Sequence, residues 1–494
     1  MKRQDGALLS SIEIDRTGKR AIGVQLYMVL REIILSGGLR AGERIPASRT
    51  LAREVGVSRT TVIDAVDKLV AEGMLVSRVG AGTFVSDILE QQHPRTNELR
   101  PPDPQTSQPR LSHAIDHSFS SYAPRSWLPH QASAFITALP ALDAFPIAQW
   151  SRFSARHLRG DRAGIMGYGQ PQGHQGLRNA IASHLNAARG IRCSPEQIFI
   201  TCGAQHAFSL AGRVLLNPGD KVWYENPGAT GARNALIAAG AELVPVSVDD
   251  EGINIAEAKR VAPHFRLAFV TPSHQQPLGH VMSLARRLEL LEAANDARAL
   301  IIEDDYDGEF HYGVSHRPPL KSIDTQGRVI YVGTFSKTLF PSLRLGFMLV
   351  PEQLTAAFDT LFASWISTPP TAVQATVADF MDEGQFAAHI RLMRRLYKTR
   401  YDALMQAGRD HLPDTIRLQE TTSGFHTTAL LDDRVDENAL MAQAAAAGLT
   451  VAPISRYSLS DTVEKGLVLG FGSTSPPDIE SGVSALMQLP ALTP

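Results

Sequence analysis

The chain has 494 residues, which is too long for one domain of ordinary size and predicts two to four domains. A composition of 44% hydrophobic and 20% charged residues is typical of a globular protein with sizeable cores and excludes a disordered chain. The formal net charge of −2 excludes a chain that is basic throughout, yet residues 1–86 hold 13 Lys+Arg against 9 Asp+Glu. A basic head on an acidic body fits DNA binding at the N-terminus.

Four segments follow one another along the chain. Residues 1–19 are interpreted as an N-terminal tail without the apolar core of a signal peptide. Residues 20–86 alternate short helical patterns with turn signals and predict one small domain. Residues 87–125 scatter prolines among Gln, Ser, Thr and Arg, a composition that predicts an extended interdomain linker. Residues 126–494 predict a second, larger domain.

The small domain has the spacing of three helices. Apolar residues at helical intervals predict a first helix over Gly23–Ser36. A second, short helix is predicted over Ser48–Val55, and Gly56 makes the turn that follows. Ser58 is an N-cap residue for a third helix, which is predicted over Arg59–Ala71.

A β-hairpin completes a winged helix-turn-helix. Residues 74–77 and 83–85 can pair around the turn that begins at Arg78. The first residues of a recognition helix read base edges in the major groove, so Arg59 is the predicted base-reading residue. Arg49 and Arg78 suit phosphates. The predicted DNA-binding residues are Arg49, Ser58, Arg59, Thr60, Thr61, Arg78, Gly80 and Gly82. A small helical domain used for protein contacts is the alternative.

The larger domain reads as α/β with a largely parallel sheet and, from about Ser364, a long helix followed by a smaller α+β subdomain. The pattern predicts helices over Ala207–Leu215 and Leu284–Asp296. Strands are predicted over residues 197–201, 221–224, 243–246, 267–271, 299–303 and 329–333.

The segment GTFSKTLFPSLRLG, residues 333–346, has the parts that a pyridoxal-phosphate site needs. Lys337 follows an apolar strand, and its amine can form a Schiff base with the cofactor aldehyde. Hydroxyls and a guanidinium can hold the phosphate, so Thr334, Ser336 and Arg344 are the predicted phosphate ligands.

Two further strand ends carry candidate cofactor residues. In IIEDDYDGEF, residues 301–310, Asp304 can keep the pyridine nitrogen protonated and Tyr306 can reach the phenolic oxygen. In ITCGAQHAFSL, residues 200–210, the turn at Gly203, Ala204 and Gln205 offers free amides at a helix N-terminus to phosphate. Each motif taken singly also has a structural explanation as an ordinary strand-to-helix connection or solvated turn.

The small domain, in AGERIPASRTLAREVGVSRTTVIDAVDKLVAEGMLVSRVGAGTFV, resembles the winged head of the GntR family. From about residue 130 the motifs, with YGQPQGHQGLR (168–178) and PGD (218–220), resemble fold-type I aminotransferases. The whole chain resembles the MocR/GabR group of regulators. This resemblance implies pyridoxal 5′-phosphate as cofactor on Lys337, Asp304 and Tyr306. It also implies a homodimer in which Tyr168 reaches the phosphate of the other subunit.

The chain departs from that group near the cofactor ring. The aminotransferase asparagine on the cofactor oxygen falls near Gln276 in TPSHQQPLG, and His274 is the candidate substitute. Ala229 stands where an aromatic residue often follows Pro-Gly. Stacking on the ring is therefore expected from His206 or Phe208.

A second departure concerns the ligand. Ser473 aligns with the arginine that binds a ligand carboxylate in GabR-like members, which leaves Arg456 as a candidate anion anchor. The implied effectors are taurine, GABA, an ectoine derivative or vitamin B6. The sequence leaves the operator, and activation or repression, open.

The resemblance implies a transcription regulator that binds operator DNA through its winged helix and senses an amino compound, or the cofactor itself, by aldimine chemistry. The alternative is an active pyridoxal-phosphate aminotransferase that carries a DNA-binding head. Cys193 and Cys202 are too few for a disulfide framework or a zinc site, so no metal is expected, and a reducing cytoplasm is the predicted location. No apolar run approaches the length of a membrane span.

Overall fold

The computed structural model describes residues 12, 14–18, 20–87, 122–123, 134–160, 162–312, 317–365, 368–460 and 464–492. Contacts divide the chain into two compact units, Met1–Arg110 and Leu111–Pro494. Most of the predicted tail and nearly all of the predicted linker lie outside the described residues. None of the helices in these ranges combines the length and the apolar character needed to cross a membrane.

The first unit is a winged helix-turn-helix, as predicted. The second and third helices have the predicted bounds, and the first begins and ends one residue early. Its elements are α1 (Ile22–Leu35), α2 (Ser48–Val55), α3 (Arg59–Ala71), β1 (Leu75–Arg78) and β2 (Gly82–Val85).

The local chemistry of this unit explains its turns. Gly56 ends α2 in the left-handed region with φ +72°, where a side chain would be strained. The Ser58 hydroxyl accepts a hydrogen bond from the Thr61 amide and caps α3. Leu26, Leu51 and other apolar residues of the three helices are fully buried against one another. Burial of this apolar surface holds α3 in place with its N-terminus exposed.

The second unit contains an eight-stranded sheet with the order β3-β10-β9-β8-β7-β4-β5-β6. Every predicted strand is present, with ends within three residues of the prediction. β10 and β6 run antiparallel to their neighbours and the rest run in one direction, so the sheet is mixed but largely parallel. The strands are β3 (Ile198–Thr201), β4 (Lys221–Asn226), β5 (Glu242–Asp249), β6 (Gly252–Ile253), β7 (Leu267–Val270), β8 (Leu300–Asp305), β9 (Val329–Thr334) and β10 (Gly346–Leu349).

Helices cover the faces of this sheet and bury two apolar clusters against it. They are α4 (Ile147–Arg159), α5 (Arg162–Met166), α6 (Gln175–Arg189), α7 (Ala204–Leu215), α8 (Thr230–Ala238), α9 (Ile255–Val261), α10 (Leu284–Ala297), α11 (Leu320–Ile323), α12 (Phe335–Thr338), α13 (Glu352–Trp365) and α14 (Thr371–Asp382). Because the carboxyl ends of parallel strands share one edge, the loops after β3, β4, β7, β8 and β9 lie together there.

The expectation of one long helix from about Ser364 was wrong. Ser364 lies near the end of α13, α14 follows, and the long helix α15 spans only Gln385–His411. Prolines before α14 and Gly384 before α15 break the helical pattern. The predicted small α+β subdomain is present, with the sheet order β11-β12-β14-β13. Its elements are β11 (Ile416–Leu418), β12 (His426–Leu431), α16 (Glu437–Ala446), β13 (Ala452–Pro453), β14 (Gly466–Gly470) and α17 (Pro476–Met487).

Candidate cofactor cavity and DNA-binding surface

A cavity opens at the carboxyl edge of the large sheet, against the small subdomain. Residues after β3, β4, β8 and β9 line one side, and residues of β12 and β14 line the other. Ten of the twelve predicted cofactor-binding residues lie in its wall. They are Gly203, Ala204, Gln205, Gln276, Asp304, Tyr306, Thr334, Ser336, Lys337 and Arg344.

Lys337 enters the cavity from α12, the single helical turn that follows β9. The Thr334 hydroxyl accepts a hydrogen bond from the Ser336 amide at 3.2 Å and caps this turn. The Lys337 Nζ donates to the backbone carbonyl oxygen of Ala138 at 2.6 Å. The cap and the short helix therefore place a primary amine at a defined position in the cavity wall.

Asp304 lies at the end of β8 with its side chain buried. Its Oδ1 has no hydrogen-bond partner among the described residues. Burial raises the pKa of this carboxyl well above its usual range; Asp305 and Asp307 add to the rise, and Lys337 opposes it. A buried carboxylate oxygen that faces a cavity fits a cationic N–H donor such as a protonated pyridine nitrogen.

Tyr306 lies beside Asp304 in the cavity wall, and its hydroxyl donates to the His274 carbonyl oxygen at 2.9 Å. Burial raises the pKa of the Tyr306 phenol well above its usual range, with Asp307 and Asp304 adding to the effect. The phenol is therefore a neutral hydrogen-bond donor near neutral pH. This matches the role predicted for it on a phenolic oxygen.

The predicted phosphate ligands all line the cavity. Gly203 has φ +92° and precedes α7, whose first amides point toward the cavity. Arg344 has φ +49° after a 3-10 turn and lines the same wall. Arg344 and the turn at Gly203 therefore line the same cavity. A guanidinium and the N-terminus of a helix fit a phosphate dianion.

His274 and Tyr168 lie outside the wall of this cavity. The His274 side chain lies behind Tyr306 and bonds to Asp307. It therefore does not lie where it was expected to contact the cofactor oxygen. Tyr168 is fully exposed and lines a separate surface depression that also includes His174. Its predicted role on another subunit therefore stays a prediction.

Of the two rings expected to stack on the cofactor, only Phe208 lines the cavity. His206 turns away, because its Nδ1 accepts the Cys202 amide at 3.0 Å. Ala229, which follows Pro-Gly, also lines the cavity. Phe208 therefore remains the predicted stacking residue, and its ring packs edge-on against Phe269.

The small subdomain adds residues to the cavity that the sequence did not single out. His426 and Val468 enter from β12 and β14, Phe425 directly precedes β12, and Tyr457 lies beside the predicted anion anchor Arg456. These residues are far from the cofactor motifs in sequence, and no local motif marks them. Ser473, which replaces the expected arginine, has an Oγ atom that is buried without a hydrogen-bond partner in the described ranges.

In the first unit, the predicted DNA-binding residues lie on α2, on the N-terminus of α3 and on the hairpin. Arg49, Arg59 and Thr60 are exposed, and Arg59 Nε lies 3.4 Å from the Ser48 hydroxyl. Thr61 is half-buried, and its hydroxyl oxygen lies 2.8 Å from that of Ser58, so the two hydroxyls are hydrogen-bonded to each other.

The hairpin turn projects from this unit. Arg78 lies over the Phe84 ring, with 5.0 Å to the ring centroid. Gly80 has φ +74°, and a Cβ on Gly82 would come within 2.6 Å of the Arg44 side chain. Arg44 is an exposed cation beside the wing that the sequence reading missed. Its position depends on a bridge to Phe84 that local sequence does not reveal.

Comparison with known proteins agrees with both units. The profile of bacterial regulatory proteins of the gntR family matches residues 23–85, and that of aminotransferase class I and II matches residues 142–464. The chain is 38% identical over 479 residues to the probable rhizopine catabolism regulatory protein MocR of Rhizobium meliloti, covering 96% of this chain and 94% of that protein. It is 35% identical to the HTH-type transcriptional regulator TauR of Rhodobacter capsulatus, covering 80% and 81%.

The solved structures agree on the second unit. Pyrococcus horikoshii kynurenine aminotransferase superposes with a TM-score of 0.68 at 25% identity and covers 78% of this chain and 96% of its own. The fold and the two profiles define a helix-turn-helix transcription regulator whose second unit has the fold-type I aminotransferase fold. With these relatives along nearly its whole length, the chain belongs to the MocR group of GntR-family regulators.

Proposed function

We propose that this regulator binds pyridoxal 5′-phosphate in the cavity at Lys337 and uses it to sense a small amino compound. The observation that carries the proposal is that Lys337, Asp304, Tyr306 and Arg344 line one cavity of the described structure. The first is a primary amine and the second a buried carboxylate with an unpartnered oxygen. The last is a guanidinium in a wall that also includes the start of α7.

Each residue has a defined task toward that cofactor. The Lys337 amine would hold it, and Asp304 would accept the pyridine N–H. The Tyr306 hydroxyl, which donates to the His274 carbonyl in this structure, would turn to donate to the phenolic oxygen. Arg344, the hydroxyls of Thr334 and Ser336 and the amides of α7 would bind the phosphate. When bound, the cofactor supplies an aldehyde carbon on which an incoming amine can replace the lysine.

The cavity also limits the class of effector. An arginine for a ligand carboxylate is replaced by Ser473, whereas Arg456 and the imidazole of His426 line the cavity. We propose an amine whose second polar group meets Arg456. The relatives include the probable rhizopine catabolism regulatory protein MocR and the pyridoxine biosynthesis transcriptional regulator PdxR of Corynebacterium glutamicum, which adds a rhizopine and supports vitamin B6 as candidates. Taurine, GABA and an ectoine derivative are the other candidates.

The proposed function also includes DNA binding and the assembly of two copies of the chain. The exposed N-terminus of α3 would enter the major groove, with Arg59 on base edges and Arg44, Arg49 and Arg78 on phosphates. We further propose that the cytoplasmic protein acts as a homodimer. The large apolar side chains of Ile147, Leu158 and Met166 are exposed, which suits an interface between copies of the chain. The two DNA-binding units of a dimer then require an operator with two half-sites.

A working aminotransferase that retains a DNA-binding head is the second candidate. The same amine that holds the cofactor could move a proton at the substrate carbon, and the solved relatives of the second unit are aminotransferases. Only turnover distinguishes this function from sensing, because the cavity residues are the same for both.

The decisive experiment is a visible spectrum of the purified full chain, titrated with rhizopine, taurine, GABA and pyridoxal phosphate. Keto product is assayed in parallel, and binding to the promoter DNA next to the chain's own gene is measured with and without each amine. We expect one amine to shift the visible band and the DNA affinity without steady product. Steady keto product would support the aminotransferase, and the lack of any visible band would overturn both candidates.

A further inference from the structure

A buried histidine–aspartate pair lies directly behind the cavity wall. The His274 Nδ1 lies 2.8 Å from the Asp307 Oδ2, and both side chains are shielded from solvent. The same Nδ1 lies 3.2 Å from the hydroxyl of Tyr306, which donates to the His274 backbone carbonyl. These contacts form a continuous chain from the cavity wall at Tyr306 to the carboxylate of Asp307.

The small subdomain closes over this pair. Gly424 has φ +76°, and a Cβ there would collide with the His274 ring and the Asp307 carboxylate. The Gly424 amide donates to the Phe310 carbonyl at 2.8 Å, which fixes the loop in place. The His426 ring packs on the His274 ring with a centroid distance of 4.4 Å. The imidazole therefore has little room to change its orientation.

We propose that His274 and Asp307 are positioning residues for Tyr306: the carboxylate of Asp307 orients the imidazole, and the imidazole Nδ1–H holds the Tyr306 phenol toward the cofactor's phenolic oxygen. The inference rests on the proposed cofactor at Lys337. A carboxylate that accepts the Nδ1–H fixes the tautomer of the ring, as in other carboxylate–histidine pairs. In this structure two contacts to His274 fix the phenol oxygen: the Nδ1–H, which is shared with Asp307, lies 3.2 Å from it, and the phenol O–H donates to the backbone carbonyl. The cofactor's phenolic oxygen would take the place of that carbonyl as acceptor, while the Nδ1–H would keep its contact with the phenol oxygen.

A metal ion is the competing occupant of this cluster. Ligand atoms of His274, Asp307 and His426 all lie within 4.8 Å of one another. Two ligands at about 2.1 Å from a tetrahedral zinc ion are roughly 3.4 Å apart. The 2.8 Å between Nδ1 and Oδ2 is instead a hydrogen-bond distance. Asp307 therefore orients the ring of His274, and bound metal becomes an outcome of the test.

Several charged or titratable groups face the pair from the surrounding elements. Asp305 is the last residue of β8, Lys337 lies on α12, and His426 lies on β12. Glu225 on β4 acts on Tyr306. The remaining neighbours are Asp304, Tyr312 and His280. Substitutions that keep these groups in place isolate the contribution of the pair itself.

The test compares two substitutions at one position in the cofactor-loaded full chain. His274→Asn keeps an N–H near the position of Nδ1, whereas His274→Phe keeps the volume of the ring and removes the N–H. The readout is the pH midpoint of the visible band. We expect the midpoint of His274→Asn to stay within about 0.2 units of the unmodified protein and that of His274→Phe to move by roughly half a unit or more. The exposed His264, changed to Phe, is the matched control.

A second variant covers the case in which His274→Phe fails to fold. Asp307→Asn keeps an acceptor for the ring N–H and removes a negative charge that attracts Lys337. The protonated nitrogen on the lysine is then less stabilised, so the midpoint should fall by about half a unit or more. An unchanged midpoint in Asp307→Asn would overturn the proposal.

The outcomes separate this inference from the proposed function. If the unmodified protein shows no visible band, the proposed function itself fails. If the band is present but neither His274→Asn nor His274→Phe moves the midpoint, the histidine only fills space and the inference is overturned. If both variants shift the midpoint alike, the N–H does not position Tyr306 and the inference is also overturned; loss of a stoichiometric metal ion in both would then identify the cluster as a metal site.

Discussion

The amine of Lys337 and the carbonyl oxygen of Ala138 are 2.6 Å apart. Ala138 holds this oxygen in place with φ +67°, a left-handed conformation that is uncommon for alanine. Three residues earlier, Phe135 pairs with Gly470 at the end of β14. The lysine is therefore linked, through one short segment, to the sheet of the small subdomain. An amine that takes the place of Lys337 on the cofactor would alter this link.

Replacement of Lys337 by alanine should remove the visible band of the cofactor and leave effector-free DNA binding intact. The reason is that the amine lies in the cavity of the second unit, whereas the residues proposed to contact DNA lie on α2, α3 and the hairpin. Absorption spectra and fluorescence anisotropy with operator DNA measure the two properties separately. Lys398→Ala, which breaks an exposed ion pair with Asp402, is the control. Loss of DNA binding by a folded Lys337→Ala protein would contradict this separation.

Arg59→Ala should weaken operator binding and relax the discrimination at one base pair. A guanidinium pairs two acceptors of guanine, and its loss costs about 1–3 kcal/mol at that position. Competition with single-base operator variants measures this selectivity.

Arg49→Ala provides the contrast within the same unit. This exposed residue on α2 suits phosphate contact, so its loss should weaken binding equally for all sequences and reduce the salt dependence. Base selectivity that is unchanged in Arg59→Ala, or lost in Arg49→Ala, would reverse the two roles.

Local signals in the sequence were enough to predict the winged helix and much of the cavity. The bounds of α3 follow from the N-cap at Ser58 and the turn at Gly56, both of which act within a few residues. Lys337 and Asp304 were found because polar residues at the carboxyl ends of parallel strands meet at one edge of a sheet.

Tertiary contacts explain what the sequence did not predict. His274 was expected to touch the cofactor, but the carboxylate of Asp307 draws its ring behind Tyr306. Phe425 and His426 reach the cavity only because β12 packs against the large sheet's edge. The helical periodicity near Ser364 likewise did not reveal where one helix ends and the next begins.

Arg344→Lys should weaken binding of the cofactor about tenfold or more. The arginine has φ +49° and lines the cavity together with the turn after β3, which is the predicted phosphate site. Lysine keeps the charge but loses the paired donors that match a phosphate, and a cost of roughly 1.4 kcal/mol corresponds to a factor of ten. Dialysis against known cofactor concentrations gives the constant. Arg328→Lys, at a guanidinium bonded to Asn295, is the control. Equal affinities in the two variants would move phosphate binding away from Arg344.

Glu225→Gln should become more stable relative to the unmodified protein as pH rises. The Glu225 carboxyl is fully buried and accepts hydrogen bonds from Thr271, at 2.7 Å from the hydroxyl. Burial raises its pKa to about 7, despite the opposing hydrogen bonds from Thr271 and Gln275. In the unfolded chain the pKa of a glutamate is about 4.3. Between these values the folded protein binds the proton more tightly, so the free energy of unfolding falls as pH rises.

Glutamine does not titrate, so the variant lacks this loss. The free energy of unfolding of Glu225→Gln minus that of the unmodified protein should rise by about 3 kcal/mol between pH 4.5 and pH 7.5. Any cost from the changed hydrogen bonds shifts this difference in free energy by the same amount at every pH, so its dependence on pH is unaffected. Urea unfolding at a series of pH values measures the difference, with the exposed Glu420→Gln as control. A flat difference for Glu225→Gln would mean that this carboxyl is already ionised in the folded protein across the whole range.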